Sequence, residues 1–95
     1  MNEKDAYQQK LEAQLKEWQA EIERLRAKAE KATADARIEH EKRLDEMVEY
    51  QKRGQRQLAE MQQASEAAWG DMKEGVEKAL EDMAEAWKKA VRRYN

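Results

Sequence analysis

From Leu58 onward, apolar side chains recur with an 11-residue period. The segments LAEMQQASEAA, WGDMKEGVEKA and LEDMAEAWKKA stack as three lines, followed by VRRYN. One column reads Leu58, Trp69, Leu80, Val91, and another reads Met61, Met72, Met83, Tyr94. Two more read Ser65, Val76, Trp87 and Ala68, Ala79, Ala90. Eleven residues close three helical turns at about 3.67 residues per turn, so these columns share one face of an α-helix. Upstream the period is different. Leu11, Leu15, Trp18, Ile22, Leu25, Ala29, Ala32 and Ala36 are spaced alternately by 4 and 3 residues. That alternation is the a/d seam of a left-handed coiled coil. The seam opens with large side chains and ends with three alanines, which bury little area.

Beyond Ala36 the heptad would place Glu39 and Arg43 in the seam. An insertion of four residues restores an apolar line through Ala36, His40, Leu44, Met47, Gln51, Gly54 and Leu58. Such a stutter locally unwinds a left-handed supercoil. The pattern therefore predicts an all-α chain forming one coiled-coil unit over residues 1–95. Its sections are heptads over 11–36, a stutter region over 36–54, and 11-residue repeats over 58–95. Asn2 is the expected N-cap, with Glu3 and Asp5 in the first turn, where the helix dipole favours anions.

Two architectures fit. The favoured one is a long uninterrupted amphipathic helix that pairs in parallel with copies of itself, so that heptads meet heptads and 11-residue repeats meet their like. Its length would be on the order of 135 Å. The alternative is an antiparallel helical hairpin turning near Lys52–Gln55, with Gly54 just past a helix end. That turn sets Trp18 opposite Trp87 and Leu11 opposite Tyr94. A turn at Ala64–Ser65, with Ser65 as N-cap, mirrors the pattern comparably. In every case the apolar stripe needs cover, so self-association is expected. Its seam is Leu11, Leu15, Trp18, Ile22, Leu25, Leu44, Leu58, Met61, Trp69, Met72, Val76, Leu80, Met83 and Trp87.

Composition supports a helix and narrows the chemistry. Ala, Glu, Lys, Leu and Arg supply 57 of 95 residues, whereas Leu, Ile and Val together supply 11. That balance is typical of long helices and coiled coils rather than of a large globular core. There is no Pro, and Gly54, Gly70 and Gly75 are the only glycines. Without Cys there is no disulfide or thiol chemistry. No apolar run reaches the roughly 18 residues that span a bilayer, and the first ten residues lack the apolar core of a secretory signal, so a cytoplasmic location is expected. Basic and acidic residues are nearly balanced, for a net charge of -2. Nucleic-acid binding by bulk electrostatics is therefore not expected. Glu12–Lys16, Glu39–Arg43, Glu49–Arg53, Glu74–Lys78 and Glu85–Lys89 are helix-stabilising pairs four residues apart, and Lys88, Lys89, Arg92 and Arg93 suit a helix C-terminus.

Candidate sites are few. His40, the single histidine, reads as a polar layer that sets register; a ring of symmetry-related copies would bind metal or sense pH. Met47, Met61, Met72 and Met83 read as adaptable core filler ahead of a copper ladder. Trp18, Trp69 and Trp87 read as seam aromatics, with contact to a lipid or polymer surface as the alternative. Ala6, Ala13, Ala20, Ala27 and Ala34 form a second stripe, either solvent-facing helix formers or a face for lateral packing. The carboxylates lie beside lysines on solvated surface, and no phosphate loop or zinc spacing occurs. Neither catalysis, cofactor nor resident metal is expected.

The runs EKDAYQQKLEAQLKEW, KAEKATADARIEHEK and AAWGDMKEGVEKA resemble a group of small bacterial coiled-coil domain-containing proteins. The most specific pieces are Ala34-Asp35-Ala36-Arg37-Ile38-Glu39, and Trp69 followed by Gly75-Val76-Glu77. This resemblance implies a bacterial, cytoplasmic, helical protein and no catalytic residue. The 11-residue period alone is similar to that of exchangeable apolipoproteins, synucleins and phasins. The expected function is that of a non-enzymatic scaffold, spacer or filament subunit whose partner is itself. The alternative is a reversible amphipathic-helix binder of lipid or another hydrophobic surface through residues 58–94. A separate protein partner is left open.

Overall fold

The helix starts where the sequence places its first cap. Asn2 Oδ1 accepts the Asp5 backbone N–H at 2.9 Å, and α1 runs Glu3–Glu30. The chain then breaks within the alanine-rich end of the heptads. Lys31 closes α1, and the Ala32 N–H donates to the Ala29 carbonyl at 3.2 Å. Thr33 is extended, and its Oγ1 accepts the Ala36 N–H at 3.4 Å to start α2, Ala34–Gln63. Arg37 reaches back from α2: its Nε donates to the Ala29 carbonyl at 3.3 Å and its Nη2 to the Glu30 carbonyl at 3.1 Å. These bonds satisfy carbonyls that a helix end leaves without partners. A second break follows at Ala64 and Ser65. Ser65 Oγ accepts the Ala68 N–H at 3.1 Å, and α3 runs Glu66–Tyr94. This computed structural model describes the backbone of residues 2–94 and the side chains of residues 2–92.

The protein is all-α, and no strand occurs among the described residues. α1 and α2 are antiparallel, and α3 turns back again to lie parallel to α1, with Tyr7 at Trp69 and Trp18 at Trp87. The result is an up-down-up bundle with principal extents of 52 × 18 × 17 Å. α1 and α2 make the closest backbone approach, and α3 stands off, from α1 most of all.

The long single helix does not occur, and neither does the turn at Lys52–Gln55. The chain breaks instead at Lys31–Thr33 and Ala64–Ser65. The physical reason at Gly54 is packing. Gly54 is buried inside α2 with no left-handed conformation. A Cβ built there would lie 2.5 Å from Leu15 Cδ2 and 3.7 Å from Trp18 Cζ3. The glycine lets α1 approach α2; it does not bend the chain. The stutter has a related cause. The heptad section is divided between α1 and α2, and the shift of phase after Ala36 marks the start of a new helix seated against the first. At the second break, Ser65 is the N-cap that the sequence allows.

Candidate interaction surface

The interior of the bundle is one apolar column built from all three helices. Leu11, Leu15, Trp18, Ile22 and Leu25 from α1 are buried, as are Met47 and Met61 from α2. α3 adds Trp69, Val76, Leu80, Trp87 and Ala90. Leu44, Leu58, Met72 and Met83 are partly buried and pack against this column. Every residue of the expected seam therefore lies in or against the intramolecular core. The Tyr94 and Arg93 side chains and Asn95 lie outside the described residues.

Aromatic layers join α1 to α3. Trp18 and Trp87 stack with centroids 4.6 Å apart and planes 11° apart. Tyr7 and Trp69 meet at 5.5 Å, tilted by 47°. The Trp18–Trp87 pair anticipated for a hairpin is thus present, but it forms between parallel helices two turns of chain apart rather than across one antiparallel turn. Large rings in both layers also explain why α1 and α3 are held at a distance. A groove of about 400 Å³ runs beside the tryptophan stack, lined by Gln14, Glu17, Ala20, Glu21, Arg24, Ala84, Lys88 and Val91. A second recess of about 230 Å³, which shares Gln14 and Ala84 with the first, continues toward Tyr7 and Glu77.

Polar contacts clamp the N-terminal end of α1 to α3 and the second turn. The Tyr7 hydroxyl donates to Glu77 Oε1 at 2.5 Å. Lys73 Nζ lies 2.6 Å from Glu3 Oε1, with both side chains half exposed. Lys4 Nζ donates to the Ala64 carbonyl at 2.6 Å. The bond to Glu77, then burial and the nearby carboxylates, raise the Tyr7 pKa above its ordinary 10.0. The bond to Glu3 and its charge likewise raise the Lys73 pKa above 10.5. Elsewhere on the surface, Glu39 meets Lys42 at 3.7 Å and Arg43 meets Glu46 at 3.8 Å, one position off the expected Glu39–Arg43 pairing.

Between α1 and α2 sits one buried polar side chain, Gln51. Its Nε2 donates to the Leu15 carbonyl at 3.1 Å, while its Oε1 has no hydrogen-bond partner. Trp69 Nε1 is in the same position. His40 is partly buried on α2. Met47 and Met61 are fully buried on α2, whereas Met72 and Met83 are partly buried on α3. Among the described residues, no group of three or more His, Cys, Asp or Glu side chains converges to hold a metal ion. Ala6, Ala13, Ala20 and Ala27 are exposed along α1, and Ala34 is exposed at the start of α2. Among the described residues, no helix is long and apolar enough to cross a membrane.

Sequence reasoning missed Tyr7, Gln51 as a buried partner of α1, and the packing of Val48 and Tyr50 against the core. Tyr7 carries one usable signal: it lies one helical turn before Leu11 and 11 residues before Trp18. Val48 and Tyr50 lie outside a single seam, yet both are partly buried against the core. Compared with family models, with curated proteins and with solved structures, the chain matches none.

Proposed function

We propose that this chain is a non-enzymatic structural protein, a stiff helical spacer or scaffold unit that associates with copies of itself. The observation that carries the spacer reading is the unbroken apolar column, drawn from every helix and covered within one chain, along a body 52 Å long and 18 × 17 Å across. Helices of 28, 30 and 29 residues sharing one column make a rod stiffer than any one of them alone. The nearly neutral surface, with a net charge of -2, lets like surfaces meet without strong repulsion. The likeness to small bacterial coiled-coil proteins points the same way and suggests a cytoplasmic setting in a bacterium. Sedimentation equilibrium from micromolar to millimolar concentration tests the reading. The mass is expected to rise from one chain, 11.2 kDa, to a defined oligomer at constant helicity. A mass fixed at one chain throughout would overturn it.

A second reading has its own support in the separation of α3 from α1. On this reading, residues 58–94 lay their stripe on lipid or another hydrophobic surface, with Trp69 and Trp87 entering it. Tryptophan emission with and without phosphatidylcholine vesicles decides this. A blue shift with helicity retained supports surface binding, and unchanged emission removes it.

A further inference from the structure

The turn between α2 and α3 has the properties of a hinge. It consists of two residues, Ala64 and Ser65. Neither is Gly or Pro, and no described residue has a positive φ. Ala64 sits at φ -74° and ψ 137°. Its φ is already close to helical, so rotation of ψ to about -40° returns it to an α-helix. Alanine is the residue that most favours that state. The apolar stripe also runs through the turn without changing phase: Leu58, Met61, Ser65, Ala68, Trp69, Met72 and Val76 keep helical spacing. The stripe also keeps phase through the first turn, at Ala29, Ala32 and Ala36, so the two turns are told apart by what ties them. The first turn is different, because Arg37 ties it down through two carbonyls of α1. The second turn is held by one such bond, from Lys4 to the Ala64 carbonyl, and α3 packs less closely on α1 and α2 than they do on each other, so α3 is the element more readily released.

We propose that two copies of this chain associate by exchanging α3. Ala64 and Ser65 straighten, α2 and α3 become one helix over residues 34–94, about 90 Å long, and each α3 packs on the α1–α2 pair of the other copy. α3 pairs with α2 in antiparallel fashion about the 64–65 turn, so two straightened helices pair about a twofold axis near the same residues. Such an exchange is reciprocal and closed. Every α1–α3 contact re-forms between copies: Trp18 on Trp87, Tyr7 on Trp69 and Glu77, and Glu3 on Lys73. The seam that the monomer covers internally thereby becomes the seam between copies. Straightening breaks the Ser65 cap and the Lys4 bond to the Ala64 carbonyl, both made by the turn. Helical hydrogen bonds across residues 61–69 replace them. This inference rests on the self-association proposed above and specifies its route.

The chain has no cysteine, so single thiols can be placed at will. Tyr7→Cys and Glu77→Cys chains are co-refolded at millimolar concentration, and the two-chain fraction is isolated and treated with a short bis-maleimide. Exchange gives a covalent two-chain species joined from position 7 to position 77. In parallel, Ser65→Pro is compared with the parent chain. Proline forces the preceding residue toward the extended conformation Ala64 already holds, and it breaks a helix that runs through it. Dimerisation is expected to weaken roughly a hundredfold or more, with a folded monomer retained. A dimer that gives no 7-to-77 link, or that forms equally well in the Ser65→Pro variant, overturns exchange and leaves self-association standing. A parent chain that stays monomeric at millimolar concentration overturns both.

Discussion

The three glycines do different work, and substitution separates them. Gly70 and Gly75 lie in α3 with open space where a Cβ would project. Replacing either by Ala is expected to stabilise the fold by about 0.5–1 kcal/mol, because Gly costs that much in a helix interior. In thermal unfolding, each change is expected to raise Tm by about 2–5 °C. Gly54 is opposite in sign. A Leu there would displace Leu15 and press on Trp18, and overpacking of this kind costs about 1–3 kcal/mol. Gly54→Leu is therefore expected to lower Tm. If Gly54 tolerated Leu, the close approach of α1 and α2 would be refuted. Gln51 supplies a further check. Its Oε1 is buried without a partner, while its Nε2 holds the Leu15 carbonyl. Gln51→Met removes that desolvated oxygen at similar volume, and a chemical denaturation midpoint equal to or above the parent's is expected.

Each helix depends on local signals, and these can be removed singly. Thr33→Ala and Ser65→Ala each delete a side-chain cap and are expected to cost about 1 kcal/mol. Denaturant midpoints measured for each variant would show the loss. The clamp between α1 and α3 is set by protonated groups. The folded-state pKa values of Tyr7 and Lys73 are raised above 10.0 and 10.5, so folding favours their protonated forms. The stability they add is complete below those ordinary values and is lost as pH rises through the raised folded-state ones. The denaturant midpoint is therefore expected to fall as pH climbs past about 10. The double variant Tyr7→Phe, Lys73→Met is expected to show a shallower fall over the same range. High salt is expected to reduce the contribution of Lys73, whose partner Glu3 is half exposed.

How far the sequence can be read follows from these elements. The helical character, the Asn2 cap, the capping role open to Ser65 and the apolar residues that line the bundle core were legible, because periodicity and caps are local properties. The number of helices was not. A heptad gives no sign of whether its partner is another chain or the same chain folded back, since both satisfy the same stripe. The first break carries neither Gly nor Pro; its one local signal, the Thr33 cap, went unread, and the Arg37 bonds that also hold it exist only after the chain has turned. Gly54 misled for the complementary reason: a glycine that permits close packing looks like one that permits a turn. The Trp18–Trp87 layer shows the same limit: the pairing was expected only from a turn at Lys52–Gln55 that does not occur, and it forms instead between parallel helices.

At the level of the entire chain, the bundle and the rod differ most in dimensions. Small-angle X-ray scattering over a concentration series measures size and mass together. At the lowest concentration, a particle of one chain mass, 11.2 kDa, is expected with a radius of gyration near the 15.6 Å of the bundle. At millimolar concentration, the mass of two chains and a longer particle are expected. A radius of gyration of roughly 40 Å at the lowest concentration, that of a straight helix of this length, would contradict the folded-back bundle.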